Sequence, residues 1–138
     1  MKRKLGIDFG DARIGLALSD LLGWTAQGLE TMKKNKSDQD VAKDIFEIAK
    51  ANDVDTFVIG LPKNMNNTLG ERAIRTKEFA ELLGEISGID VVLRDERLSS
   101  VAATNTLHAM GKKVGQDKGA VDRLAAVYIL QGYLDSNS

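Results

Sequence analysis

Three acidic residues sit where a carboxylate is expensive to keep. Asp8 lies inside an apolar strand pattern between Ile7 and Phe9, Glu96 lies where the last strand pattern runs out, and Asp122 opens a helix that is otherwise apolar. Acids in such surroundings usually have a cationic partner, a capping role or a metal ion. Hard divalent cations prefer carboxylate oxygens, and two such ions roughly 4 Å apart can hold the attacking and leaving oxygens of a phosphoryl transfer. Each acid also has a plainer reading: Asp8 on a solvated sheet face, Glu96 in a polar turn, Asp122 favouring the amino end of a helix dipole. His108 stands alone in a helix pattern and is a poor rival ligand.

The elements that must position these acids follow from periodicity. Leu5 to Gly10 alternates, with Leu5, Ile7 and Phe9 on one face and Gly6 and Asp8 on the other. Ile14 to Leu18 reads as a second strand and Thr25 to Met32 as a third, which makes an antiparallel meander. From Ser37, a candidate N-cap, the spacing of Val41, Ile45, Ile48 and Ala49 becomes helical, with Lys50 to Asn52 as the exit. Thr56 to Leu61 is a strand bounded by Pro62. Thr68 and Glu71 have capping-box spacing ahead of a helix striped by Phe79, Leu82, Leu83 and Ile86 and ended by Gly88. Ile89 to Leu93 is the last strand. Helices follow from about Ser99 to Met110 and from about Ala120 to Leu134, the latter apolar nearly all round from Leu124 to Leu130 and therefore expected to be buried. The order βββ-α-β-α-β-α-α predicts an α/β fold of three layers, with a mixed five-stranded sheet: a three-strand antiparallel meander plus two parallel strands, flanked by helices.

Length and composition bound the rest. A chain of 138 residues is expected to form a single domain, residues 1–138, burying roughly 70% of its unfolded surface. Nineteen Lys and Arg against 20 Asp and Glu leave a formal charge of −1, which argues against non-specific coating of nucleic acid while allowing a local basic patch. With no Cys, disulfides, thiolate catalysis and Cys-based zinc sites are excluded. Asp8 and Asp11 interrupt the apolar stretch behind Met1-Lys2-Arg3-Lys4, and no apolar run approaches a membrane span, so the expectation is a cytoplasmic protein without membrane contact.

Four segments occur in order: Gly6-Ile7-Asp8-Phe9-Gly10-Asp11-Ala12-Arg13-Ile14-Gly15-Leu16-Ala17, Gly60-Leu61-Pro62-Lys63-Asn64-Met65, Asp95-Glu96-Arg97-Leu98-Ser99 and Asp122-Arg123-Leu124-Ala125-Ala126. Together they resemble the YqgF/RuvX family of Holliday-junction-resolvase-like nucleases, a family associated with maturation of the small-subunit ribosomal RNA precursor. The resemblance covers essentially the whole chain. It implies a ribonuclease-H-like fold and a hydrolase that uses Mg²⁺ or Mn²⁺, two ions in all. Asp8 would bridge the pair and Glu96 and Asp122 would complete the shell, so the three acids are at once the metal ligands and the catalytic set. Water is then the nucleophile and no side chain need attack. The family's usual Asn-Gly in the second segment is replaced by Asn66-Asn67, a mild change because Asn tolerates positive φ.

Other residues complete a candidate substrate surface. Arg13 and Arg97 can bind phosphate with paired donors or neutralise the acids. Lys63 and Asn64 follow a strand end, where α/β sheets line ligand crevices. Lys112, Lys113 and Lys118 occupy a Gly-rich loop ahead of Asp122 and can grip a nucleic-acid backbone. Gly6 and Gly10 remove bulk where a phosphate must approach, or mark a bulge. Trp24 is read as packing in preference to base stacking, and Lys33 to Lys36 as a solvated turn. The expected partner is nucleic acid, as structured RNA, branched DNA or a ribosomal precursor particle, met by a monomer or weak dimer. The leading function is a metal-dependent endonuclease that processes the pre-16S rRNA end. Alternatives are a junction resolvase, a non-catalytic RNA-binding assembly factor, and an ATPase lobe, since Ile7 to Gly10 also resembles the first phosphate motif of actin-like ATPases.

Overall fold

The computed structural model describes residues 2–10, 12–62, 70–95, 105, 106, 109 and 118–136, with only the backbone for Lys118 and Gly119. Its elements are β1 (Arg3–Phe9), β2 (Arg13–Ser19), β3 (Ala26–Gly28), β4 (Met32–Lys33), α1 (Asp38–Ala51), β5 (Val54–Leu61), α2 (Glu71–Ser87), β6 (Asp90–Asp95) and α3 (Lys118–Ser136). Asn105, Thr106 and Ala109 are helical, within the helix expected from Ser99 to Met110.

The sheet runs β3-β2-β1-β5-β6, with β4 also paired to β2. β1 is antiparallel to β2 and parallel to β5, which is parallel to β6. Helices α1 and α2 supply the two crossovers that parallel pairing requires. The expected third strand is divided. β3 pairs Ala17 with Gly28, while β4 pairs Ile14 with Met32, so three steps along β2 meet four along its partner. That extra residue is a bulge within Leu29–Thr31, and β3 and β4 share one edge position of a five-position sheet.

Side-chain alternation on β1 divides the core in two. Leu5, Ile7 and Phe9 face α1 and α2, in a cluster with Ile45, Phe79 and Leu83. The opposite face packs under α3, where Ala17 and Val58 meet Ala126, Ile129, Leu130 and Leu134. β5 is buried on both faces, which explains its unbroken apolar run.

Helix ends show how local chemistry sets the boundaries. Ser37 caps α1, its Oγ accepting from the Asp40 N–H at 3.2 Å. The cap of α2 differs from expectation: Gly70 is the N-cap and contributes no side-chain bond, so Glu71 is the first helical residue and not the third. Thr68 lies outside the described residues. Gly88 closes α2 in the left-handed region, φ 68°. β6 begins and ends later than the apolar pattern suggested, carrying the strand through Arg94 and Asp95. Along α3, Ala125, Ala126, Ile129 and Leu130 are buried, whereas Tyr128 is exposed. Among the described residues no helix is long and apolar enough to cross a membrane.

Candidate active site

Asp8 and Asp122 come together although 114 positions separate them. Asp8 is on the β1 face that α3 covers, directly opposite Gly15 of β2. A Cβ at Gly15 would lie 1.9 Å from the carbonyl oxygen of Asp122. Only a hydrogen at that position lets the first turns of α3 settle onto the sheet beside Asp8. Gly6, on the same face, has the same role further along, where a Cβ would lie 2.7 Å from Cβ of Leu130. The glycine expected to admit a phosphate thus admits the protein's own helix. Gly10 is also filled from within, since a Cβ there would meet the Arg13 carbonyl at 2.5 Å.

The end of β1 is held from its other face. The Phe9 ring stacks on Phe79 of α2 with centroids 4.2 Å apart, and Lys34 Nζ lies 4.2 Å from the Phe9 centroid. Lys34 is therefore half-buried packing and not part of a solvated turn. Its N–H also donates to the Ala12 carbonyl.

Electrostatics single out Asp8. Burial is the main force pushing its carboxyl up to about 6 from an ordinary 3.8; Arg72 opposes the rise and Asp122 adds to it. Arg13 Nε donates to Asp122 Oδ2 at 2.9 Å, which realises the neutralising role considered for Arg13. Arg72 was not singled out in the sequence. It lies in the first turn of α2, exposed and two helical turns ahead of Phe79, and its charge acts on Asp8. Nothing in its local pattern marks it, because an arginine on an exposed helix face looks like any solvated charge.

Two part-buried carboxylates brought close, one of them resisting ionisation, match the demand of a hard cation. Among the described residues the donors the two acids offer are oxygens, as Mg²⁺ or Mn²⁺ prefers, and Arg13 and Arg72 offset their charge. β6 ends at Asp95 at the same end of the sheet as Asp8, paired with Leu61. Glu96, next in sequence, lies outside the described residues, as do Lys63, Asn64, Arg97, His108, Lys112 and Lys113. Lys118 is the first residue of α3.

A mixed sheet in this order, helices on both faces and an acid on the central strand define a ribonuclease-H-like α/β fold. Thermus thermophilus RuvC in complex with Holliday junction substrate shares it, at a TM-score of 0.58 and 14% identity, with 99% of this chain and 96% of that one covered. The large terminase nuclease of the thermophilic phage G20c does so at 0.55 and 17%, covering 92% and 81%. The chain belongs to the RuvX family, described as Holliday junction resolvase, whose pattern matches residues 2–136. Relatives named "Putative pre-16S rRNA nuclease" include one from Acetivibrio thermocellus, 51% identical over 135 residues that cover 97% of this chain and 96% of that protein. One from Bacillus thuringiensis is 49% identical over 135 residues, covering 97% and 98%.

Proposed function

We propose that the chain is a metal-dependent endonuclease that hydrolyses phosphodiester bonds in structured RNA, and that its substrate is the pre-16S rRNA end. The observation that carries this reading is the approach of Asp8 and Asp122 from the first strand and the last described helix, one acid raised by burial and the other held by Arg13. Asp8, Asp122 and Glu96 would hold the cations. Bound Mg²⁺ or Mn²⁺ would supply charge stabilisation at the phosphorus oxygens and activate water at neutral pH.

The chain's own residues do the rest. Arg13 fixes the Asp122 carboxylate through Nε, leaving its terminal nitrogens to meet a substrate phosphate. Arg72 keeps Asp8 more ionisable than burial alone would allow, and it adds positive potential where a phosphate backbone must enter. Lys63, Asn64, Arg97, Lys112, Lys113 and Lys118 extend the grip on the backbone. This reading makes residues 1–138 one domain, acting in the cytoplasm as a monomer or weak dimer.

A junction resolvase is the second reading, favoured by the family description and by the fold shared with RuvC. The test is cleavage of an end-labelled pre-16S fragment and of a four-way DNA junction, with Mg²⁺, Mn²⁺ or EDTA. RNA cutting that disappears in EDTA is expected. Cutting of the junction alone would install the resolvase, and binding without cutting of either would install the assembly factor.

A further inference from the structure

The turn between β2 and β3 places large apolar side chains in water. Leu21, Leu22 and Trp24 are 47%, 59% and 70% exposed, so Trp24 is not the packing residue its position suggested. The turn is nonetheless firmly built. The Asp20 carboxylate accepts from the Trp24 N–H at 2.8 Å and from the Thr25 hydroxyl at 3.1 Å, bonds that hold the acid below its usual range. Gln131 of α3 accepts from the Ala26 N–H at 2.9 Å and donates to the Trp24 carbonyl at 2.8 Å. A backbone fixed in this way, displaying an aromatic and two leucines, has already met the ordering cost that a docking surface must otherwise meet on binding.

Beside the turn, below the end of α1, is a cleft of about 520 Å³ whose lining includes Arg3, Leu18, Leu21, Gln27, Leu29 and Asn52. Arg3 Nε is buried there with no hydrogen-bond partner among the described residues. The rest of the Arg3 guanidinium lines the cleft without an ion pair among the described residues, so its charge is open to an incoming oxygen. The neighbouring lysines are neutralised, Lys2 by Asp53 at 3.9 Å and Lys4 by Asp55 at 2.6 Å. A phosphate backbone needs a surplus of positive charge that this end of the molecule lacks, whereas an apolar protein segment with one carboxylate matches it. The surface is also separate from Asp8: Gly15 faces Asp8, and the turn begins beyond Ser19, roughly 13 Å further along β2.

We propose that the β2–β3 turn and its cleft dock a partner protein that sets an apolar side chain against Leu22 and Trp24 and a carboxylate or main-chain carbonyl against the Arg3 guanidinium. Resting on the function proposed above, the partner is a protein of the ribosomal precursor particle on which the nuclease acts. The test replaces Leu22 with the photoreactive p-benzoylphenylalanine and irradiates the full chain bound to purified small-subunit precursor particles. In parallel, Leu22→Ala/Trp24→Ala is sedimented with those particles and assayed on naked precursor transcript. A crosslink to a particle protein is expected, with particle binding about tenfold or more weaker in the double variant and kcat/KM on naked transcript within about twofold of wild type. A crosslink to RNA, a crosslink to a second copy of the chain, no crosslink, or undiminished particle binding would each overturn the proposal. Wild-type protein that docks but cleaves no transcript would instead remove the nuclease reading and leave the docking surface standing.

Discussion

Asp8 is an acid that folding biases toward its neutral form. Its folded value of about 6 lies above 3.8, so its contribution to stability is fully present below about pH 4 and is lost as pH rises through 6. In EDTA the protein should therefore melt higher at pH 5 than the same group allows at pH 8, by an amount worth roughly 1–3 kcal/mol. Asp8→Asn removes that titration, and in urea denaturation it should be more stable than wild type at pH 8 by a similar amount. Mg²⁺ or Mn²⁺ should stabilise wild type and leave Asp8→Asn nearly unchanged. Arg72→Gln deletes the cation that opposes the upward shift, so the acid limb of the cleavage pH profile should move to higher pH; an unmoved limb would remove Arg72 from the site. Asp8 and Asp122 were legible in the sequence because a carboxylate inside an apolar pattern is costly enough to notice. Arg72 was not, since its relation to Asp8 exists only once α2 has packed against the sheet.

At the scale of elements, glycine decides where α3 lies. Gly15→Ala would put a methyl 1.9 Å from the Asp122 carbonyl oxygen, and backbone cannot yield as a side-chain tip can. We expect a loss of about 1–3 kcal/mol or more in denaturation, and a fall in cleavage beyond what the unfolded fraction accounts for, because the helix that carries Asp122 must lift. Unchanged activity in that variant would show that Asp122 needs no such seating. Periodicity located α1 to within a residue at each end, since Ser37 offers its own capping oxygen and the apolar stripe is regular. It failed at Thr25 to Met32, where alternation reads as one strand but an extra residue divides the pairing into β3 and β4. It also failed at the start of α2, where glycine caps the helix with no side chain to announce it.

For the whole molecule, the mixed strand directions and the flanking helices were implicit in the succession of strands and helices, because strands joined through helices must run parallel, whereas the order β3-β2-β1-β5-β6 was not. Nor was it implicit which segments meet at the candidate site: a residue from the first strand against one from the last described helix. α3 is held to the sheet by the smaller of the two cores, so Leu130→Ala should cost about 2–5 kcal/mol and loosen Asp122 with it. Thermal denaturation, with tryptophan emission at the exposed Trp24 as a second probe, checks this. The most direct measurement is cleavage of an end-labelled pre-16S rRNA fragment by wild type and by folded Asp8→Asn, each with Mg²⁺ and with EDTA. Cutting by wild type with Mg²⁺ alone, absent in EDTA and in the variant, is the predicted result; equal cutting by Asp8→Asn, or no cutting by wild type with Mg²⁺, would contradict it.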